Sequence, residues 1–279
     1  MRLGPPGAHV MTDRKATEAT EATEATELPT VSFGRRQRLY RAPLPDMTKP
    51  YMACIGAERT FAREVARPWP ELAGEAINLP ALNLGVDGAG PGFFLADPVV
   101  LQACSRARLC VLEIGSAWNL SNRFYTVGRR YNRRLRGVSD MLRMLYPDVD
   151  LASFVFVGKL LEHLHAKDPA KFALIEGECR AAWCARMGTL LDAIEAPKLL
   201  LWFSHRRPED HVRFDPRRAR SLPPDAVDRA MVDAARAHSQ GYAEVILDGG
   251  GGGGRAALTQ KMHAEIAATL TAQAAKLLA

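Results

Sequence analysis

The sequence lacks any run approaching the ~20 apolar residues of a membrane-spanning helix. This excludes helical membrane spans. The first 30 residues hold no apolar core followed by a small-residue cleavage site, so no secretory signal is expected. Cysteine is scarce: Cys54, Cys104, Cys110, Cys179 and Cys184 are odd in number, and none forms a C-x-x-C. A disulfide scaffold is therefore not expected, and free thiols in a reducing cytoplasm are. Acidic residues are missing altogether from Ser116 to Ser139. That stretch carries six arginines: Arg123, Arg129, Arg130, Arg133, Arg134 and Arg136.

What is present points to a soluble α/β protein. A chain of 279 residues, 47% hydrophobic and 24% charged, has room for one large domain. Its 37 basic and 31 acidic residues leave a net charge of +6, which favours anions nearby and decides nothing about fold. Residues 16–27 are four copies of Ala-Thr-Glu. This repeat has no apolar face with which to offset its ordering entropy. Residues 1–47 are expected to be a disordered tail, and 48–279 the folded domain.

Apolar runs then alternate with helical patterns. Pro50–Gly56, Pro80–Val86, Arg108–Gly115, Lys198–Ser204 and Tyr242–Asp248 read as five strands. The segments near Arg67–Leu79, Asp97–Ser105 and Pro224–His238, and the one from about Ala256 to the end, read as helices. The strands are continuously apolar, as expected for a sheet covered on both faces. The alternation implies parallel pairing with right-handed crossovers. The expected fold is α/β, a three-layer α/β/α with a five-stranded, mostly parallel sheet. Residues 137–196 show no strand except an ambiguous Phe154–Val157. They read as a helical insertion whose long helix starts after an Asp168 cap and stops before Pro197.

Two motifs have ordinary readings. Gly249–Gly254 literally contains G-x-G-x-x-G, but Arg255-Ala256 follows where a phosphate loop needs lysine and a hydroxyl. A flexible linker suits it better. His163 and His165 are two apart on a helical pattern and so face different ways, which argues against shared metal ligation. No metal and no cofactor is expected.

An open α/β sheet binds ligands beyond the carboxyl ends of its strands. The loops leaving the first three strands read "IGAERT", "NLGVDGAG" and "IGSAWNLSN". In this order they resemble the blocks of the SGNH (GDSL-type) hydrolases. That family has Gly-Asp-Ser with the nucleophile, an oxyanion glycine after Asn-x-Gly, an oxyanion asparagine, and a late Asp-x-x-His. The segment "WPELAGEAINLPALNLGVDGAG" is similar to the stretch joining the first two blocks, and the likeness covers about Met52–Asn122. The chain also resembles an uncharacterised bacterial domain family that shares "NLSNRFYTV". The resemblance implies oxyanion roles for Gly85, after Asn83, and for Asn119, and a substrate that is an ester or an acylated or sulfated carbohydrate. The chain departs from the pattern at both ends: Glu58 stands where the serine should be, and no Asp-x-x-His occurs in it. Conventional serine-esterase activity is therefore not expected.

The segment Asn119–Gly137 interleaves Asn119, Asn122, Tyr125 and Tyr131 with arginines, a composition suited to bidentate contacts with anions or sugars. The candidate ligand residues are Glu58, Arg59, Asn83, Gly85, Asn119, Asn122, Arg123, Arg129 and Arg130. No residue is assigned a catalytic role. Three functions stay open: a diverged hydrolase, a binding or accessory protein holding an anionic or carbohydrate-type small molecule, and, more weakly, contact with nucleic acid. No membrane partner is expected.

Overall fold

The computed structural model describes residues 28–128, 133–210, 224–248 and 258–279. The elements run in chain order: β1 (Thr30–Phe33), β2 (Arg38–Arg41), β3 (Met52–Gly56), α1 (Glu58–Phe61), α2 (Trp69–Ala76), β4 (Ala81–Gly85), α3 (Pro91–Leu95), α4 (Pro98–Arg106), β5 (Leu109–Glu113), β6 (Tyr125–Val127), β7 (Leu135–Val138), α5 (Asp140–Leu145), α6 (Val157–Lys167), α7 (Pro169–Asp192), β8 (Lys198–Ser204), α8 (Arg229–Arg236), β9 (Gly241–Ile246) and α9 (Gln260–Leu278).

The central sheet has the order β4-β3-β5-β8-β9, and every neighbouring pair is parallel. Met52 lies between Ala81 and Leu109 in register. The five expected strands are the five observed, with Lys198–Ser204 matching residue for residue.

Side chains of successive strand residues go to opposite faces, so each strand feeds two cores. Ala53, Ile55, Cys110, Leu112, Leu200 and Trp202 pack under α4, α7 and α8. Met52, Cys54, Leu109, Val111, Leu199, Leu201 and Phe203 pack under α2 and α9. The result is a three-layer α/β/α sandwich. The cysteines of the described chain are free; Cys184 is half-buried and the other four are buried.

Local signals set the helix ends. Asp168 caps α7 by accepting from the amides of Ala170 and Lys171, both at 3.0 Å. Pro169 occupies the first turn, where its missing N–H costs nothing. Asp97 caps α4 and also accepts the backbone amides of Arg35 (3.0 Å) and Arg36 (3.2 Å). Burial raises the Asp97 carboxyl's pKa, but these four amides outweigh it and hold the group below its ordinary value.

Two expectations need correction. The tail expected over 1–47 is ordered from residue 28, where β1 and β2 form an antiparallel hairpin with Thr30 opposite Arg41. Tyr40 of this hairpin is fully buried in the main core. Residues 1–27, with the Ala-Thr-Glu repeat, lie outside the described residues. The arginine-rich segment Asn119–Gly137 contains a second hairpin, β6 with β7, which runs into the start of the expected insertion. The ambiguous Phe154–Val157 is no strand: Phe156 bridges to Arg134, and Val157 begins α6. Gly249–Gly254 lies outside the described residues.

No helix among the described residues is long and apolar enough to cross a membrane. Among them, no group of three or more His, Cys, Asp or Glu is placed to hold a metal ion.

Candidate functional site

In this strand order the sheet's connections diverge between β3 and β5, and the crevice at such a switch point is the usual ligand position. The loop after β3 and the end of β5 meet there. Glu113, the last residue of β5, accepts the Ala57 amide at 2.8 Å and the Thr60 hydroxyl at 2.5 Å on one carboxylate oxygen. Burial pushes the Glu113 carboxyl up to about 7, aided by Glu58 and opposed by Thr60, Arg59 and Ala57.

Glu58 sits one residue past Ala57 and is half-exposed. Its Oε2 accepts the Gly88 amide at 3.2 Å, and its Oε1 pairs with Arg133. Arg133 also reaches Asp87 at 3.0 Å. Gly88 has φ +68°, a left-handed conformation that turns its N–H toward the carboxylate.

A second carboxyl–hydroxyl pair lies beyond β8. The Ser116 hydroxyl accepts the Asp225 amide at 2.8 Å and donates to the Asp225 carboxylate at 3.3 Å. Burial pushes Asp225 up to about 7; Ser116, Arg206 and Arg59 oppose this and Glu58 adds to it. Arg206 stacks on Trp202, 4.9 Å from the ring centroid, and donates to the carbonyls of Pro224 and Val227. It thereby pins the Asp225 loop to the end of β8. Arg59 donates to the Phe203 carbonyl at 3.3 Å. Burial lowers its pKa, while Glu113, Glu58 and Asp225 all hold it charged. One guanidinium thus stands in the field of three carboxyl groups.

The loop carrying Glu58–Thr60 is held from outside. Arg41 of β2, almost fully buried, donates to the carbonyls of Phe61 (3.4 Å), Ala62 (2.7 Å), Val65 (2.9 Å) and Ala66. From the sheet side, Asn83 donates to the Thr60 carbonyl at 2.7 Å and accepts the Gly85 amide at 3.0 Å. A Cβ at Gly85 would overlap the backbone of Thr60 and Phe61, so glycine is needed there for close approach.

The structure therefore brings Glu58, Arg59, Asn83 and Gly85 together at the ends of β3 and β4. Asn83 and Gly85 bond within the protein, and the amide facing Glu58 belongs to Gly88. Asn119 is half-buried in the loop after β5, its backbone carbonyl against Gly90. Asn122 and Arg123 serve the fold. The Asn122 carbonyl accepts the amides of Phe124 (2.9 Å) and Tyr125 (3.1 Å), and Arg123 pairs with Glu178 on α7. The Glu178 carboxyl lies below its ordinary value because Arg123 hydrogen-bonds it. Arg129 and Arg130 lie outside the described residues.

Each described histidine is engaged. His205 contacts the Leu247 carbonyl at 2.8 Å, and His238 contacts Asp192 at 2.7 Å. His263, in the first turn of α9, accepts the Trp69 amide at 3.1 Å; burial, with Arg41 and Arg59, lowers its pKa to about 4. His163 packs on Phe154 and His165 on Phe172. Glu113 and Asp225 escaped the sequence reading. A charged residue ending an otherwise apolar strand was a usable signal for Glu113. Asp225 had none, since it arrives from 109 residues beyond Ser116.

Three solved structures show remote likeness. One is a carbohydrate esterase family 2 enzyme with a carbohydrate-binding domain from Myceliophthora fergusii, 14% identical, TM-score 0.41, covering 86% of this chain and 70% of that one. Another is an acetyl-xylooligosaccharide esterase from a Geobacillus, 11% identical, TM-score 0.35, covering 70% and 75%. The third is an α/β hydrolase from a Lake Arreo metagenome, 13% identical, TM-score 0.33, covering 69% and 76%. No curated protein matches the chain. A family model does match, over residues 16–278, and the chain belongs to that family, the domain of unknown function DUF6473.

Proposed function

We propose that this chain is a diverged SGNH-hydrolase-like protein whose sheet-end site binds a polar anionic or carbohydrate-type small molecule without serine-esterase chemistry. The observation that carries this reading is the Glu58 carboxylate on the Gly88 amide. An esterase aims such amides at an oxyanion that develops during the reaction. Here the protein's own carboxylate occupies the donor, and Arg133 pairs with it. A carboxylate at that position would repel an incoming oxyanion.

The surrounding groups suit recognition of a hydroxyl-rich or charged ligand. Arg59 and Arg133 supply forked donors, and Glu58 and Asp87 supply acceptors. A second reading, proton transfer to or from the ligand, is favoured by Glu113. It is a carboxyl group with a pKa of about 7 at the switch point, in the range a general acid or base needs at neutral pH.

The test is labelling of the purified protein with a fluorophosphonate probe, followed by peptide mapping. No labelling is expected in the wild type or in Glu58→Ser, because no Asp-x-x-His supplies the base. Labelled Thr60 or Ser116 would overturn the reading. In parallel, thermal-shift measurements with sulfated, phosphorylated and neutral sugars should find a stabilising ligand. That response should be lost in Arg59→Ala.

A further inference from the structure

Arg133 and Arg134 are consecutive and part company. Arg133 turns to Glu58 and Asp87, whereas Arg134 lines a separate cavity of about 570 Å³. None of the groups at the sheet-end site lines this cavity. Its described lining comes from Gly128, Arg134 with β7, Arg143 of α5, and the segment between α5 and α6. They are knitted by backbone bonds: Gly128 to the Arg134 carbonyl at 2.7 Å, Leu135 to Val155 at 2.9 Å, and Val157 to Arg133 at 3.0 Å.

Three guanidiniums, Arg134, Arg136 and Arg143, share the lining with Leu151, Phe154 and Val155. Among the described residues, the carboxylate paired with this cluster is Asp140, 3.7 Å from Arg143 and almost fully exposed. Such a pair is weak in water, so it leaves the cluster's charge largely unbalanced. The volume falls in the range of small-molecule sites, which join apolar walls to a few polar groups.

We propose that this cavity binds a small amphipathic anion: a carboxylate, sulfate or phosphate head on a short acyl or aryl body. The head pairs with the arginine forks, and the body covers Leu151, Phe154 and Val155. The inference does not depend on the sheet-end reading, since the two sites share no described residue.

The test is calorimetric titration of the full chain with octyl sulfate below its micellar concentration, beside octanol, octyltrimethylammonium and inorganic sulfate. Saturable 1:1 binding of octyl sulfate is expected, at least tenfold tighter than that of the other three. Arg136→Ala/Arg143→Ala should weaken it by roughly tenfold or more, as expected for loss of charge-assisted bonds. Phe154→Ala should weaken octyl sulfate and leave inorganic sulfate unchanged. Both arginines are exposed, so the double variant should keep the wild-type melting temperature, which is to be measured alongside. Equal binding of all four probes, no binding, or an unaltered double variant would overturn the proposal. Inorganic sulfate binding as tightly as octyl sulfate would leave the apolar wall without a role and overturn it too. Co-sedimentation with phosphatidylglycerol vesicles without 1:1 octyl sulfate binding would make this a membrane-facing surface and refute the small-molecule site.

Discussion

Two regions rich in arginine play opposite parts. The stretch from Arg123 to Arg136 has the denser charge, yet Arg134 and Arg136 face solvent at the cavity rim. The β1–β2 hairpin, next to a low-complexity repeat, contributes Arg41, which is buried and donates to four carbonyls of the loop that carries Glu58, Arg59 and Thr60. In the first region Arg133 pairs with Glu58 and Asp87 while its neighbours Arg134 and Arg136 face water. A single cation among orphan carbonyls marks a joint.

The largest effect should come from deleting residues 1–47. The deletion removes Tyr40, Arg41 and two of the four amides that Asp97 accepts, and denaturant unfolding should show a loss of several kcal/mol or no folded protein at all. A melting transition unchanged by the deletion would return the hairpin to the status of a tail. Arg41→Ala should come next, costing about 3 kcal/mol because buried carbonyls lose a charged donor. Arg41→Lys should recover only part of that, since an ammonium cannot span the same carbonyls.

Glu113→Gln has a smaller, pH-dependent effect. The native Glu113 pKa is raised, from 4.5 to about 7, so the folded state holds its proton longer than the unfolded chain does. Its contribution to stability is therefore fully present below about pH 4.5 and is lost as pH rises to about 7. Glutamine cannot ionise and can still accept from Ala57 and Thr60. The variant's advantage in melting temperature should grow from pH 4.5 to 7 and then level off. Taking the difference from wild type cancels the opposite contribution of His263, whose native pKa is lowered. A flat difference across that window would show that the carboxyl is not desolvated. The smallest effect belongs to Arg134→Ala/Arg136→Ala, expected within about 0.5 kcal/mol of wild type, as for exposed residues outside any network.

The same contrast explains what the sequence made legible. The sheet was readable because residues such as Leu199–Phe203 are apolar on both faces and no other element suits so short a run. The long α7 was readable because Asp168-Pro169 announces its start. The β1–β2 hairpin was not. Its strands are only four residues each, and Arg41 reads as surface charge until the carbonyls of residues 61–66 surround it. That Glu58, Asn83 and Gly85 lie together was legible because they sit at strand ends of an α/β sheet. Asp225, Asp87 and Arg133 join the site through long-range packing, which leaves no periodic trace in the chain.

The Arg41 joint also governs the order in which the molecule opens. Four hydrogen bonds tie the loop after β3 to β2, so the loop cannot open without releasing the guanidinium. Hairpin and loop should therefore form one cooperative opening unit. Their amides should exchange with deuterium at a common free energy, below that of the buried strands β5 and β8. Ligand capture at Glu58 and Arg59 should slow exchange in the distant turn at Gly34–Gln37, although no ligand touches it.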